Sequence, residues 1–177
     1  MINRLKILFL LLMSANTATL IAGETVNLDE LSMKNAKQPF EGIVTGGQPS
    51  LIDLKKLKKQ GIKNIINLRG AGEFDGYDEV KETKVLGFNY ITLEISSASD
   101  INIENSKKFD NLLNNLEGKT LVHCASSNRV GALFALREAL IKGKSVEDAI
   151  LVGKSAGLYS LEKRVKAVLN SVNKASQ

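Results

Sequence analysis

One stretch of the chain narrows its possible folds more than any other. KTLVHC (Lys119 to Cys124) is a β-rich apolar run bounded by Gly118, and a helical pattern opens at Arg129 with RVGAL. Only Ala125, Ser126, Ser127 and Asn128 lie between them. The chain must therefore curl tightly from a buried strand into a helix, which three small residues and a turn-tolerant Asn allow.

The same alternation extends upstream. EGIVTGG (Glu41 to Gly47) reads as a short strand closing in a glycine turn. SLIDLKKLKKQG opens with a capping box, Ser50 with Asp53, and stops at Gly61. Its Leu51, Leu54 and Leu57 share one helix face, while Lys55, Lys56, Lys58 and Lys59 lie mostly opposite, as on a solvated surface. IKNIINL (Ile62 to Leu68) is a second strand, a helix is expected over Tyr77 to Leu86, and FNYITLEI (Phe88 to Ile95) alternates as a third strand. Phe109, Leu112, Leu113 and Leu116 then recur at helical spacing before the KTLVHC strand. Helices are expected afterwards over Arg129 to Ile141, Ser145 to about Ala156, and Leu161 to about Val172.

This order predicts an α/β fold: a mainly parallel central sheet of about four to five strands, flanked by helices and joined by right-handed crossovers. Ligands in such sheets sit beyond the carboxyl ends of the strands. Three loops are thereby expected at one rim: RGAGEFDG, SSASDIN and CASSNR.

Residues 1–23 stand apart. Arg4 and Lys6 precede an unbroken apolar run from Ile7 to Met13, and small residues follow, the pattern of a secretory signal peptide. A polar lead-in is expected over 24–39, the domain over 40–173 and a short tail over 174–177. A periplasmic or secreted location follows, without membrane attachment once the signal is removed. The formal charge of +5 includes Arg4 and Lys6, and the remaining lysines form no basic stripe, which argues against nucleic acid as a partner. A single Cys excludes an internal disulfide, so a thiol kept in an oxidising compartment calls for a reason.

The Cys-to-Arg loop supplies one. Backbone N–H groups of a tight strand-to-helix turn form an anion nest, reinforced by the positive end of the helix dipole. A thiol there is stabilised as its nucleophilic thiolate, and Arg129 offers a planar fork for two oxygens of an oxyanion. Cys124 and Arg129 are thus candidate catalytic residues, with Ala125, Ser126, Ser127 and Asn128 binding the anion through their backbone. Strand alternation turns His123 away from the face of Cys124, so it is expected to orient the loop by donating a hydrogen bond to its backbone. One His and one Cys are too few for a metal site without several carboxylates, and none is expected. The partner called for is a phosphorylated substrate or another small oxyanion.

VHCASSNRVGA, with GIVTGGQPSLIDLKKLKKQGIKNIINLRGAGE upstream and SAGLYSLEKRV downstream, resembles bacterial phosphatase-like proteins related to the dual-specificity protein tyrosine phosphatases. The match runs in order over roughly residues 40–168. It implies a cysteine-phosphatase fold, hydrolysis of phosphomonoesters through a phosphocysteine intermediate with Cys124 as nucleophile and Arg129 as phosphate clamp, and no metal.

Three departures accompany it. Four residues separate Cys124 from Arg129 where the tyrosine phosphatase signature has five; the bacterial subgroup with CASGNR-like loops shares the short form, and so do rhodanese-type sulfurtransferases, whose cysteine carries sulfur. Val130 stands where phosphatases carry a hydroxyl that assists thiolate departure. The family's general acid, an Asp after the third strand, has no unambiguous match: Asp100 is the candidate by position and Glu94 the second, with an N-cap as the alternative role for Asp100. Arg69, at the end of the second strand, could add positive potential to the pocket or pair with Glu73 or Asp75. Tyr159 is expected to pack between helices. A persulfide-carrying sulfurtransferase and a non-catalytic oxyanion- or partner-binding domain remain as alternatives to the phosphatase.

Overall fold

The computed structural model describes residues 25–175. Its elements are a 3₁₀ turn at Leu28–Glu30, then β1 (Lys37–Phe40), β2 (Ile43–Gly46), α1 (Leu51–Lys59), β3 (Ile62–Asn67), α2 (Glu79–Val85) and β4 (Asn89–Thr92). A second 3₁₀ turn (Ala98–Asp100) precedes α3 (Ile103–Asn114), β5 (Lys119–His123), α4 (Asn128–Leu140), α5 (Val146–Ser155) and α6 (Glu162–Ala175).

The five strands form one sheet in the order β1-β2-β5-β3-β4. β5 lies at its centre, parallel to both β2 and β3, and β4 is parallel to β3; only β1, joined to β2 by a tight turn, runs antiparallel. The mainly parallel α/β expectation is met, with β1 as the strand the sequence reading lacked. KQPF is short and carries Pro39, which cannot donate to a ladder and belongs on an edge.

Two apolar layers follow from the alternation of side chains across the sheet. Val122 and Cys124 point into a core shared with α3, α4, α5 and α6, where Phe134 meets Phe109 edge-on at 5.0 Å. Leu121 points the other way, into a cluster with Leu54 and Leu57 of α1, Ile65 and Phe88. Burying each of these large side chains contributes roughly 1.5–3 kcal/mol.

The segment expected as a polar lead-in packs onto this second layer. Val26 and Met33 are each only 5% exposed. Asp53 closes the anticipated capping box with Ser50 and also accepts hydrogen bonds from the Ser32 backbone (2.7 Å) and hydroxyl (2.7 Å). Burial works against its ionisation, but the bonds from Ser50 and Ser32 outweigh it and hold the carboxyl below its ordinary range. The signal-peptide expectation lies outside the described residues.

α4 runs through the middle of the helical layer, and its buried residues occupy most of its circumference. It approaches α5 so closely that a Cβ on Gly131 would lie 2.1 Å from the Leu158 nitrogen and 2.5 Å from the Gly153 oxygen. That contact sets the depth of α4, and with it the position of its first turn beside Cys124.

Candidate active site

Cys124 follows directly on the central strand, where His123 pairs with Gly46 of β2 and Asn67 of β3. Its backbone N–H donates to the Gly46 carbonyl (3.3 Å), while Leu68 N–H donates to the His123 carbonyl (2.9 Å). Strands on both sides thus anchor the thiol, which is 1% exposed.

Three of the four loop residues, Ser126, Ser127 and Asn128, use their side chains to hold the loop rather than to fill it. Ser126 bridges Gly47, its carbonyl accepts from Asn35 Nδ2 (2.9 Å), and its hydroxyl meets the Tyr159 hydroxyl at 3.0 Å. Ser127 adopts φ 70°, an uncommon conformation for a non-glycine, and its hydroxyl donates to the Ala156 carbonyl (2.9 Å). Asn128 donates to Ser160 Oγ (2.6 Å) and accepts from the Tyr159 N–H (2.9 Å). Ser127, the N-cap of α4, therefore makes no side-chain cap, and the first-turn N–H groups beside Cys124 are left for an external acceptor.

Arg129 leaves the first turn of α4 toward the rim. Its Nη1 donates to the Ile95 carbonyl (2.7 Å) and to Glu73 Oε1 (2.8 Å), and its Nη2 to Glu73 Oε2 (2.7 Å). Glu73 is fixed in turn by the Gly70 N–H (2.7 Å). The Glu73 hydrogen bonds raise the Arg129 pKa, burial opposes them, and the neighbouring Cys124 adds to the rise. The guanidinium stays charged, close to Cys124.

Arg69 takes neither acidic partner. It is 4% exposed, stacks on the Phe74 ring (4.6 Å from Cζ to the centroid) and donates to Gln48 Oε1. Glu73, considered in the sequence only as an ion-pair partner for Arg69, belongs to Arg129 instead. A Gly-x-x-Glu turn, Gly70 to Glu73, was the available signal for a carboxylate folded back over its own loop.

Asp100 does not cap the following helix, a position taken by Asn102; it ends the 3₁₀ turn whose N-cap is Ser97. Its carboxylate accepts from the Ser97 N–H (2.8 Å) and hydroxyl (2.9 Å), closing a capping box on the 3₁₀ turn. Those bonds hold its pKa below the ordinary carboxylate value, the wrong direction for a proton donor at neutral pH. Glu94 is exposed and accepts from the Ala71 N–H at 3.3 Å.

Two expectations need correction. His123 makes no hydrogen bond to the loop backbone; its ring faces Glu79 on the other side of the sheet, at 3.2 Å, because strand alternation carries the whole side chain across. Tyr159 is 55% exposed and touches the loop through Ser126 rather than packing between helices.

A thiol at the carboxyl end of a central parallel strand, a helix N-terminus and a carboxylate-braced arginine thus lie together at one rim of the sheet. Solved structures of phosphatases and candidate phosphatases share this fold. A candidate phosphatase from Neisseria meningitidis Z2491 superposes with TM-score 0.64 at 21% identity, covering 76% of this chain and 98% of its own. A DUF442 candidate phosphatase from Shewanella putrefaciens CN-32 gives 0.61 at 19%, covering 84% and 96%. The kinase associated phosphatase, whose solved form has its catalytic cysteine replaced by serine, gives 0.59 at 17%, covering 82% and 96%. The chain has the fold of the protein tyrosine and dual-specificity phosphatases.

In sequence, it is 31% identical over 124 residues to a β-lactamase hydrolase-like protein of Agrobacterium fabrum, covering 66% of this chain. The chain spans little more than a quarter, 28%, of that relative's length. No family model matches the sequence.

Proposed function

We propose that the protein hydrolyses phosphomonoesters, phosphotyrosine, phosphoserine or small phosphates, through a phosphocysteine intermediate, as a tyrosine- or dual-specificity-type phosphatase. The observation that carries the reading is the joint placement of Cys124 and Arg129: the thiol under an open helix N-terminus, the guanidinium braced by Glu73 and Ile95 at its mouth. The thiolate would attack phosphorus and the ester P–O bond would break, the leaving oxygen departing as an aryloxide or taking its proton from solvent water. Water would then attack the phosphocysteine, releasing phosphate and restoring the thiolate. Nest N–H groups and the Arg129 fork would share the charge of the equatorial oxygens in both steps.

Leaving-group protonation is the part the chain supplies least. With Asp100 committed to its capping box, an aryl phosphate, whose phenolate departs without an acid, is the substrate of choice for assay. Purified protein should release phosphate from an aryl phosphate, and Cys124→Ser should abolish it. Activity surviving that substitution would overturn the proposal.

Export to the periplasm or beyond is proposed with it, supported by Arg4, Lys6 and the apolar run that follows them.

A further inference from the structure

The segment ahead of β1 does more than cover the second apolar layer. Its residues are tied down one after another: Ser32 to Asp53, Met33 in the core at 5% exposure, and Lys34 through its carbonyl, which accepts from the Gly47 N–H (2.7 Å). Asn35 comes next, and its Nδ2 donates to the Ser126 carbonyl (2.9 Å) across 91 residues of sequence. The segment is thus seated on the rest of the domain before it reaches the loop between Cys124 and Arg129.

Backbone conformation singles out the same contact. Among the described residues, only Asn35 (φ 53°) and Ser127 (φ 70°) are non-glycines in the left-handed region. Such a conformation costs free energy and persists only where the surroundings enforce it. Asn tolerates it better than most side chains, which accounts for Asn35. Ser127 is enforced from two sides: its hydroxyl donates to the Ala156 carbonyl, and the peptide that precedes it is held by Asn35. That peptide is trans and planar, so a carbonyl drawn toward Asn35 sends the Ser127 N–H the opposite way. The Ser127 carbonyl in turn accepts from the Gly131 N–H (2.9 Å), at the start of α4.

We propose that Asn35 is a positioning residue for the loop that joins Cys124 to Arg129: its amide fixes the Ser126–Ser127 peptide, and with it the left-handed turn at Ser127 from which α4 starts. The proposal rests on the reading of that loop as an oxyanion site. Asn35 acts through the Ser126 carbonyl and not on the substrate; it sets the direction of the backbone that would meet the oxyanion.

Two variants separate the amide from the turn that carries it. Asn35 is exposed, so neither Asn35→Gly nor Asn35→Ala removes core packing. Both lack the amide, but glycine keeps the left-handed turn at ease whereas alanine strains it, so Asn35→Ala should melt at the lower temperature of the two. Exchange of the Gly131 amide hydrogen, followed by NMR, should quicken about fivefold in both variants. KM for an aryl phosphate should rise about fivefold in both, with kcat little changed, as for the loss of one hydrogen bond. A role confined to the turn itself would give another pattern, with Asn35→Gly restoring native exchange and native KM, and that result overturns the proposal. Native exchange of Gly131 in Asn35→Gly overturns it even where KM moves. A native protein that turns over no phosphate defeats the phosphatase reading, while the Gly131 exchange, which needs no ligand, still decides the role of Asn35.

Discussion

Glu73 grips Arg129 with both carboxylate oxygens, at 2.7 and 2.8 Å, from a loop that reaches the rim independently of the helix carrying the arginine. Without that brace the guanidinium would keep its charge and lose its aim. Glu73→Gln should therefore raise KM for an aryl phosphate about tenfold while leaving the fold intact. The brace also has a pH dependence. Its hydrogen bonds to Arg129 lower the Glu73 pKa against the opposing effect of burial. The contribution is complete above the unfolded carboxylate range and is lost as pH falls through the depressed folded value. Native KM should climb on acidification, and the Gln variant should show a flatter profile.

Asp100 offers a choice between two roles that one substitution separates. As the capping-box partner of Ser97 it should cost roughly 0.5–1 kcal/mol of stability on replacement by Ala, measured by denaturant unfolding. As a general acid it would cost about a hundredfold in kcat. Its bonds to Ser97 predict the first outcome, with kcat changed less than about threefold. Without a protein acid, turnover should depend steeply on the leaving group, with nitrophenyl phosphate far ahead of alkyl phosphates.

Gly157 ties the loop between Cys124 and Arg129 to the end of α5. Its φ is 106°, and a Cβ there would lie 2.5 Å from both Cβ and Oγ of Ser127. Gly157→Ala should destabilise by about 2 kcal/mol and also displace Ser127, reducing activity in the molecules that remain folded. Gly143→Ala is the control: its φ is 72° and a Cβ there meets nothing within 4 Å. That variant should lose about 1 kcal/mol with activity per folded molecule unchanged. Equal activity losses in the two would argue against a role for the Gly157 contact in shaping the loop.

The fold was legible because its elements announce themselves locally. Ser50 and Asp53 mark a helix start by their own hydrogen bonds, and KTLVHC and IKNIINL read as buried strands whatever lies around them. β1 escaped because a four-residue edge strand containing Pro39 has too little pattern to stand out from a polar segment. At the candidate site, the strand, turn and helix that carry Cys124 and Arg129 were legible, since they are contiguous in the chain. Glu73 and Glu79 were not. Each meets its partner, Arg129 or His123, across more than forty residues of sequence, a distance fixed only by the parallel pairing of β3 and β5. Alternation did place His123 on the far face, but the identity of what waits there depends on where α2 packs.

The most direct test is chemical quench of the native protein during turnover of a fast-leaving aryl phosphate, followed by mass analysis of the peptide that contains Cys124. A phosphoryl group on that cysteine, absent in Cys124→Ser and diminished in Arg129→Ala, is the predicted result. Phosphate release with an unmodified Cys124, or an adduct on Cys124 formed only as a persulfide from thiosulfate, would contradict the account.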